Sequence, residues 1–219
     1  VALAAFGCGS ERAAAVAPRT ASIAPKPAPT LPEPDPAIRV ERHVGDFVVH
    51  VISGTFRKQP ALLTERVLAQ DGDAWVIEYK LEDADGAHMI RVWNDANGEI
   101  ARVSLVVDGD EQPGTLADYE AFMASASLVP DENVGFTAST KGTCMVGPSE
   151  LDCETKSYRV MLGDQEASLG ITGSHAVPGV DLAGEITAAD GTVIYRSVLV
   201  EHGNVANARD DDAFALGDH

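Results

Sequence analysis

The sequence has 219 residues, with 34 acidic against 16 basic side chains and a formal net charge of −18. That balance excludes the basic footprint a nucleic-acid binder needs, and it excludes adhesion to an anionic bilayer through a polybasic patch. An apolar share of 45% is ordinary, and the length suits one large domain or two small ones around a real core.

In chain order, Val1-Ala2-Leu3-Ala4-Ala5-Phe6 reads as the tail of a signal-peptide apolar region, with no initiator Met or charged start ahead of it. The stretch Ala5-Phe6-Gly7-Cys8-Gly9-Ser10 resembles the lipobox of bacterial lipoproteins, in which a small residue precedes a cysteine that is cut and acylated. Gly7-Cys8 fits; Ala5 and Phe6 depart from the usual aliphatic and small residues. The resemblance implies a signal-peptide remnant over 1–8, lipidation at Cys8 and membrane contact through that lipid. With Gly9 rather than Asp behind the cysteine, it also implies the periplasmic face of the outer membrane.

Residues 9–37 are Ala/Pro-rich, with prolines at 18, 25, 27, 29, 32, 34 and 36. Such a composition cannot bury a core, so a disordered, extended linker is expected. At about 3.1 Å per residue the low-complexity stretch from Glu11 to Pro36 reaches up to roughly 80 Å.

The folded domain is expected over 38–207. Gly45 to Ser53 and Leu62 to Gln70 read as strands, and Trp75 to Leu81 alternates cleanly, as a half-buried strand does. Asp85-Gly86 offers a two-residue hairpin turn, which would set Leu81 opposite Ile90 and Tyr79 opposite Val92. Asn97-Gly98 would set Val92 opposite Val103 and Ile90 opposite Leu105. Both registers place Ile77, Tyr79, Leu81, Ile90, Val92, Val103 and Leu105 on one face of a three-stranded meander. The other face is mixed, carrying Glu78, Lys80, Met89, Arg91, Trp93, Arg102 and Ser104. Lys80 would stand opposite Arg91, relieved only by a diagonal Glu78.

Thr115-Leu116-Ala117-Asp118 has the form of a capping box, and Leu116, Tyr119, Phe122, Met123 and Ala126 recur at helical spacing. One short helix packed on the sheet and ending before Pro130 is expected. If Gly147-Pro148-Ser149-Glu150 is a hairpin loop, Cys144 faces Cys153. Directly opposed Cα atoms lie about 4.5–5.5 Å apart, inside disulfide range. The alternative is two buried free thiols; a bridge implies an oxidising compartment.

Further strands are expected over Thr155 to Leu162 and Gln165 to Thr172 around Gly163-Asp164. Another pair, Leu182 to Ala188 and Val193 to Val200, flanks Asp190-Gly191, which sets Ile186 opposite Tyr195 and Glu185 opposite Arg196. An acidic tail over 208–219 closes the chain. The expected class is mainly β (α+β): a curved antiparallel meander sheet of about nine or ten strands with one short helix.

Chemistry-bearing motifs are sparse. The six histidines (His43, His50, His88, His175, His202, His219) are scattered, so no metal and no cofactor is expected. No nucleophile elbow, P-loop or dinucleotide fingerprint is present, and no enzymatic activity is expected. A carboxylate pair such as Asp181 and Glu185 is what chance gives in so acidic a chain. The mixed face, with Met89, Arg91, Trp93 and Arg102, is the candidate ligand site, Trp93 lying opposite Arg102 in a geometry suited to a cation–π contact. The competing expectation is that the helix covers this face or that water does.

Leu151-Asp152-Cys153, Tyr158-Arg159-Val160, Ala176-Val177-Pro178-Gly179-Val180 and Gly184-Glu185-Ile186 together resemble uncharacterised envelope lipoproteins. Their curved sheet is similar to the lipoprotein-carrier (LolA/LolB-like) half-barrels. The resemblance covers the last third of the domain. It implies a non-enzymatic, lipid-anchored binding module for an apolar or amphiphilic ligand; the alternative is an envelope scaffold or protein-interaction module.

Overall fold

The computed structural model describes residues 42–72 and 74–205. Lipidation at Cys8, the linker over 9–37 and the acidic tail lie outside the described residues.

Among the described residues, eleven strands form one antiparallel sheet. They are β1 (Asp46–Ser53), β2 (Ala61–Asp71), β3 (Ala74–Asp83), β4 (Gly86–Asn94), β5 (Ile100–Val107) and β6 (Asp110–Gly114), then β7 (Glu132–Val146), β8 (Ser149–Leu162), β9 (Gln165–Gly173), β10 (Ala183–Ala188) and β11 (Val193–Asn204). A helix, α1 (Leu116–Ala126), separates β6 from β7. The spatial order is β6-β5-β4-β3-β2-β1-β11-β10-β9-β8-β7, so two runs of sequential hairpins meet where β1 pairs with β11.

The strand count exceeds the expected nine or ten. The polar segment Asp110–Gly114 and the first half of β7 are edge structure, with one strand neighbour and little burial, and they lack the alternation that marks a buried face.

Three registers follow the expectation and two depart from it. Val92 lies opposite Val103, Ile90 opposite Leu105, and Trp93 opposite Arg102. Ile186 faces Tyr195, Glu185 faces Arg196 at 2.8 Å, and Leu162 faces Gln165. In the β3–β4 hairpin, however, Asp83 pairs with Gly86, so the loop is Ala84-Asp85. Leu81 therefore faces His88, Tyr79 faces Ile90, and Glu78 rather than Lys80 stands opposite Arg91. The shift is two residues along the partner, so both faces keep their side chains.

The cysteine hairpin also turns more tightly. Val146 pairs with Ser149 around Gly147-Pro148, which places Cys144 opposite Leu151 and Cys153 opposite Gly142. Gly147 takes φ +55°, the left-handed value a tight turn demands, so the chain reverses before the four-residue loop can form. The bridge forms nonetheless, diagonally across the pair, with Cα atoms 6.0 Å apart.

Helix α1 starts as the sequence dictates. Thr115 caps it: its Oγ1 accepts from the Asp118 N–H, while the Asp118 carboxylate accepts from the Thr115 N–H at 2.7 Å. The helix packs on the apolar face of the β3 side. Ala126 is fully buried with Ile52, Ala61 and Leu81, and the Tyr119 ring lies 6.1 Å from that of Tyr79. Burial pushes the Tyr79 hydroxyl far above the ordinary tyrosine value. Arg57 fixes the helix's far end, donating to the Ser125 carbonyl and, at 2.5 Å, to the Asp83 carboxylate.

Candidate functional site

The helix covers only part of the sheet's apolar face. Beyond it, alternate residues of β1, β2, β9, β10 and β11 line one cleft of about 1000 Å³. Val48, Leu63, Val67, Leu169, Ile171 and Tyr195 supply most of its apolar wall. These strands come from both ends of the chain and become neighbours only through the β1–β11 pairing. Gly184 lies between Ser197 and Ile171 in the floor, and a Cβ added there meets nothing within 4 Å. The missing side chain is part of the cleft's volume.

Two segments rise over the floor. Residues 128–130, after α1, pack through Leu128 on the cluster of Val160, Ala167 and Ile186, leaving Val129 75% exposed at the mouth. Asp131 pins this segment, its N–H donating to the Met161 carbonyl at 2.9 Å and its carboxylate accepting from the Gly163 N–H. Residues 174–181, between β9 and β10, form a strap. Ser174 Oγ donates to the Asp152 carbonyl at 2.7 Å, and Val177 is buried beside Cys153, Leu182 and Leu199. At the strap's other end, His50 Nε2 donates to the Asp181 carbonyl at 3.0 Å.

The cleft's polar lining comes from Arg42, Asp46, His50, Glu65, Asp181, Ser197 and His202, and several of these groups are paired. Glu65 accepts from Arg42 at 2.7 Å, and Asp46 accepts from Asn204 at 2.6 Å. Burial raises the Asp181 carboxyl above its usual range, against an opposing pull from His50. Among the described residues, no group of three or more His, Cys, Asp or Glu is arranged to hold a metal ion. No helix among them is long and apolar enough to cross a membrane.

The mixed face of β3–β5 lies on the other side of the sheet from α1. The structure brings Met89, Arg91, Trp93 and Arg102 together there, with the Arg102 guanidinium 4.1 Å from the Trp93 ring centroid. The arginines are held by carboxylates. Glu78 accepts from Arg91 at 2.8 Å and from Arg66 at 3.0 Å, and Glu111 accepts from Arg91 at 2.5 Å and from Arg102 at 3.4 Å. Glu111 comes from β6, the strand the sequence does not announce. The helix leaves this face uncovered, and the ionic chain neutralises it from within.

Sequence reasoning does not reach the cleft, because no motif marks it. The one available signal is the run of small and apolar residues in Ala176-Val177-Pro178-Gly179-Val180, which supplies the strap.

No family model and no curated protein matches the chain. Among solved structures it is similar to the hypothetical protein CT021 of Chlamydia trachomatis, at 13% identity and a TM-score of 0.44, over 76% of this chain and 90% of that one. It is also similar to an exported-protein candidate with a YmcC-like fold from Bacteroides fragilis, at 11% identity and a TM-score of 0.38, over 74% of this chain and 97% of the other. MucB matches at 16% identity and a TM-score of 0.34, over 76% of this chain and 56% of its own.

Proposed function

We propose that the protein is a non-enzymatic binding module of the bacterial cell envelope, anchored by lipid at Cys8, that holds an apolar or amphiphilic ligand in the cleft between α1 and the 174–181 strap. The observation that carries this reading is the cleft itself: about 1000 Å³, with walls of aliphatic side chains and Tyr195, and an open floor at Gly184. A concave pocket of that size with a largely apolar wall suits a greasy ligand. The Cys144–Cys153 bridge supports an oxidising compartment such as the periplasm.

The test is titration of the full chain with the neutral fluorophore N-phenyl-1-naphthylamine, together with native mass spectrometry after exposure to an envelope lipid extract. Saturable fluorescence enhancement and a retained lipid mass are expected. A Gly184→Leu variant fills open space without a backbone clash and should abolish both while remaining folded. No enhancement in the native chain, or enhancement that survives Gly184→Leu, removes the reading.

A second reading, an envelope scaffold that pairs with another protein, is favoured by β7. This 15-residue strand is a sheet edge exposed along most of its length, whereas β6 at the opposite edge is five residues long and carries Pro113. A photo-crosslinker at Thr140 should then trap one discrete partner in cells; a monomer that traps nothing counts against it.

A further inference from the structure

The charge on the cleft's lining has a sign. Three carboxylates, Asp46, Glu65 and Asp181, face it against one arginine, Arg42. Two of the three are already engaged. Glu65 holds the Arg42 guanidinium at 2.7 Å, which spends the arginine as well. Asp46 accepts from the His43 N–H and from the Asn204 side-chain amide, both at 2.6 Å. Desolvation works against ionisation of Asp46, and these bonds outweigh it, leaving that carboxyl below its usual range.

Asp181 is different. Among the described residues its carboxylate accepts no hydrogen bond and meets no cation at salt-bridge distance. Its mount is nevertheless fixed. His50 donates to its backbone carbonyl at 3.0 Å, and Val180 before it packs on the buried cluster around Leu199. Leu182 after it is 3% exposed, with its N–H on the Thr172 carbonyl and its own carbonyl accepting from the Leu199 N–H, both at 2.8 Å. A rigidly placed carboxylate thus borders an aliphatic cavity with no partner from its own chain. Burial disfavours its charge, so a cation that arrived there would restore what solvent has ceased to supply. Lys141 and Lys156 line a second hollow and not this cleft, so neither competes inside it.

We infer that the cleft selects an amphiphile with a cationic head, an ammonium group set against the Asp181 carboxylate and a hydrocarbon tail laid along the aliphatic wall. The formal charge of −18 acts in the same sense, because an acidic cleft with apolar walls concentrates cations from solution. The inference rests on the proposed binding function and names the ligand class.

Displacement of N-phenyl-1-naphthylamine from the full chain by dodecyltrimethylammonium and by laurate, both below their micelle concentrations, tests it. The two share a tail length and differ in head charge. The cation should displace the probe at a concentration about three- to tenfold lower, since attraction of one head and repulsion of the other each act on the scale of an exposed ion pair. Added salt should shrink the difference. In Asp181→Asn most of the preference should vanish while probe affinity stays unchanged, because that carboxylate holds no bond the fold needs. Asp164→Asn removes the same charge at an exposed turn outside the cleft and should leave the preference intact. Equal displacement by the two amphiphiles, tighter binding of laurate, a preference that survives Asp181→Asn, or one lost equally in Asp164→Asn overturns the head-group site and leaves the cleft standing. A native chain that binds no probe at all overturns the cleft and the head-group site together.

Discussion

Glu78 stands directly across the β3–β4 ladder from Arg91, its carboxylate 2.8 Å from the Arg91 Nε, with only 6% of the residue exposed. A charge so buried persists only because the other carboxylate oxygen meets Arg66 at 3.0 Å and Arg91 reaches on to Glu111 at 2.5 Å. Removing the carboxylate would leave two half-buried guanidiniums facing each other. Glu78→Ala should cost about 2–3 kcal/mol in urea unfolding, the range of charge-assisted bonds lost without replacement. Glu111→Ala, at a more exposed site, should cost clearly less.

The staple between Cys144 and Cys153 closes a loop of nine residues' separation. On the chain-entropy account, replacing both cysteines by serine should lower stability by about 2.5–3 kcal/mol. Reductant should have the same effect on the native chain and none on the double variant. Because Cys153 packs with Val177 of the strap, the variant should also weaken N-phenyl-1-naphthylamine binding.

Asp118 gives the helix a pH dependence. Its carboxylate accepts from the Thr115 hydroxyl at 2.6 Å and from the Thr115 N–H at 2.7 Å, which lowers its pKa in the folded chain. A folded value below the unfolded one stabilises above about pH 4, and that gain is lost as pH falls through the folded value. Asp118→Asn should therefore melt at a lower temperature than the native chain at pH 7, and the two curves should converge below pH 4. Thr115→Ala should cost about 1 kcal/mol at neutral pH.

Gly54 ends β1 at φ +111°, where an added Cβ would fall 2.5 Å from the Ile194 carbonyl oxygen. Neighbouring Thr55 and Phe56 donate to the Val193 and Ile194 carbonyls at 3.1 and 2.8 Å, so the backbone cannot retreat without losing bonds. Gly54→Ala should cost roughly 2–4 kcal/mol, from backbone strain and overpacking together. Thermal unfolding would show it, with Gly98→Ala as a control that bears φ strain without a steric clash.

What the sequence disclosed was local. Asn97-Gly98 and Asp190-Gly191 announce their registers because strand pairing on either side of a turn is set by its position. Asp85-Gly86 misleads by one place: the reversal falls on Ala84-Asp85, and the Asp83 carboxylate stabilises it by accepting from the Asp85 N–H at 2.9 Å. The helix cap was written in Thr115 and Asp118. By contrast, β6 and the start of β7 are edges, whose side chains need not alternate, so nothing in Asp110–Gly114 distinguishes strand from loop. The cleft was illegible for a different reason. Val48 and Leu63 meet Ile171 and Tyr195 only after strands more than a hundred residues apart lie side by side, and no short-range pattern encodes that meeting.

The β1–β11 seam also dictates the order of assembly. Among the described residues, every other ladder joins strands consecutive in the chain and can close as soon as its two arms exist, whereas Asp46 must wait for Asn204. A chain appearing from its amino end leaves β1 lacking one neighbour until almost the last residue of β11 arrives. During that interval the unpaired backbone of β1 is a template for any passing strand. The strand order thus leaves β1 as the strand most open to mispairing while the domain is incomplete.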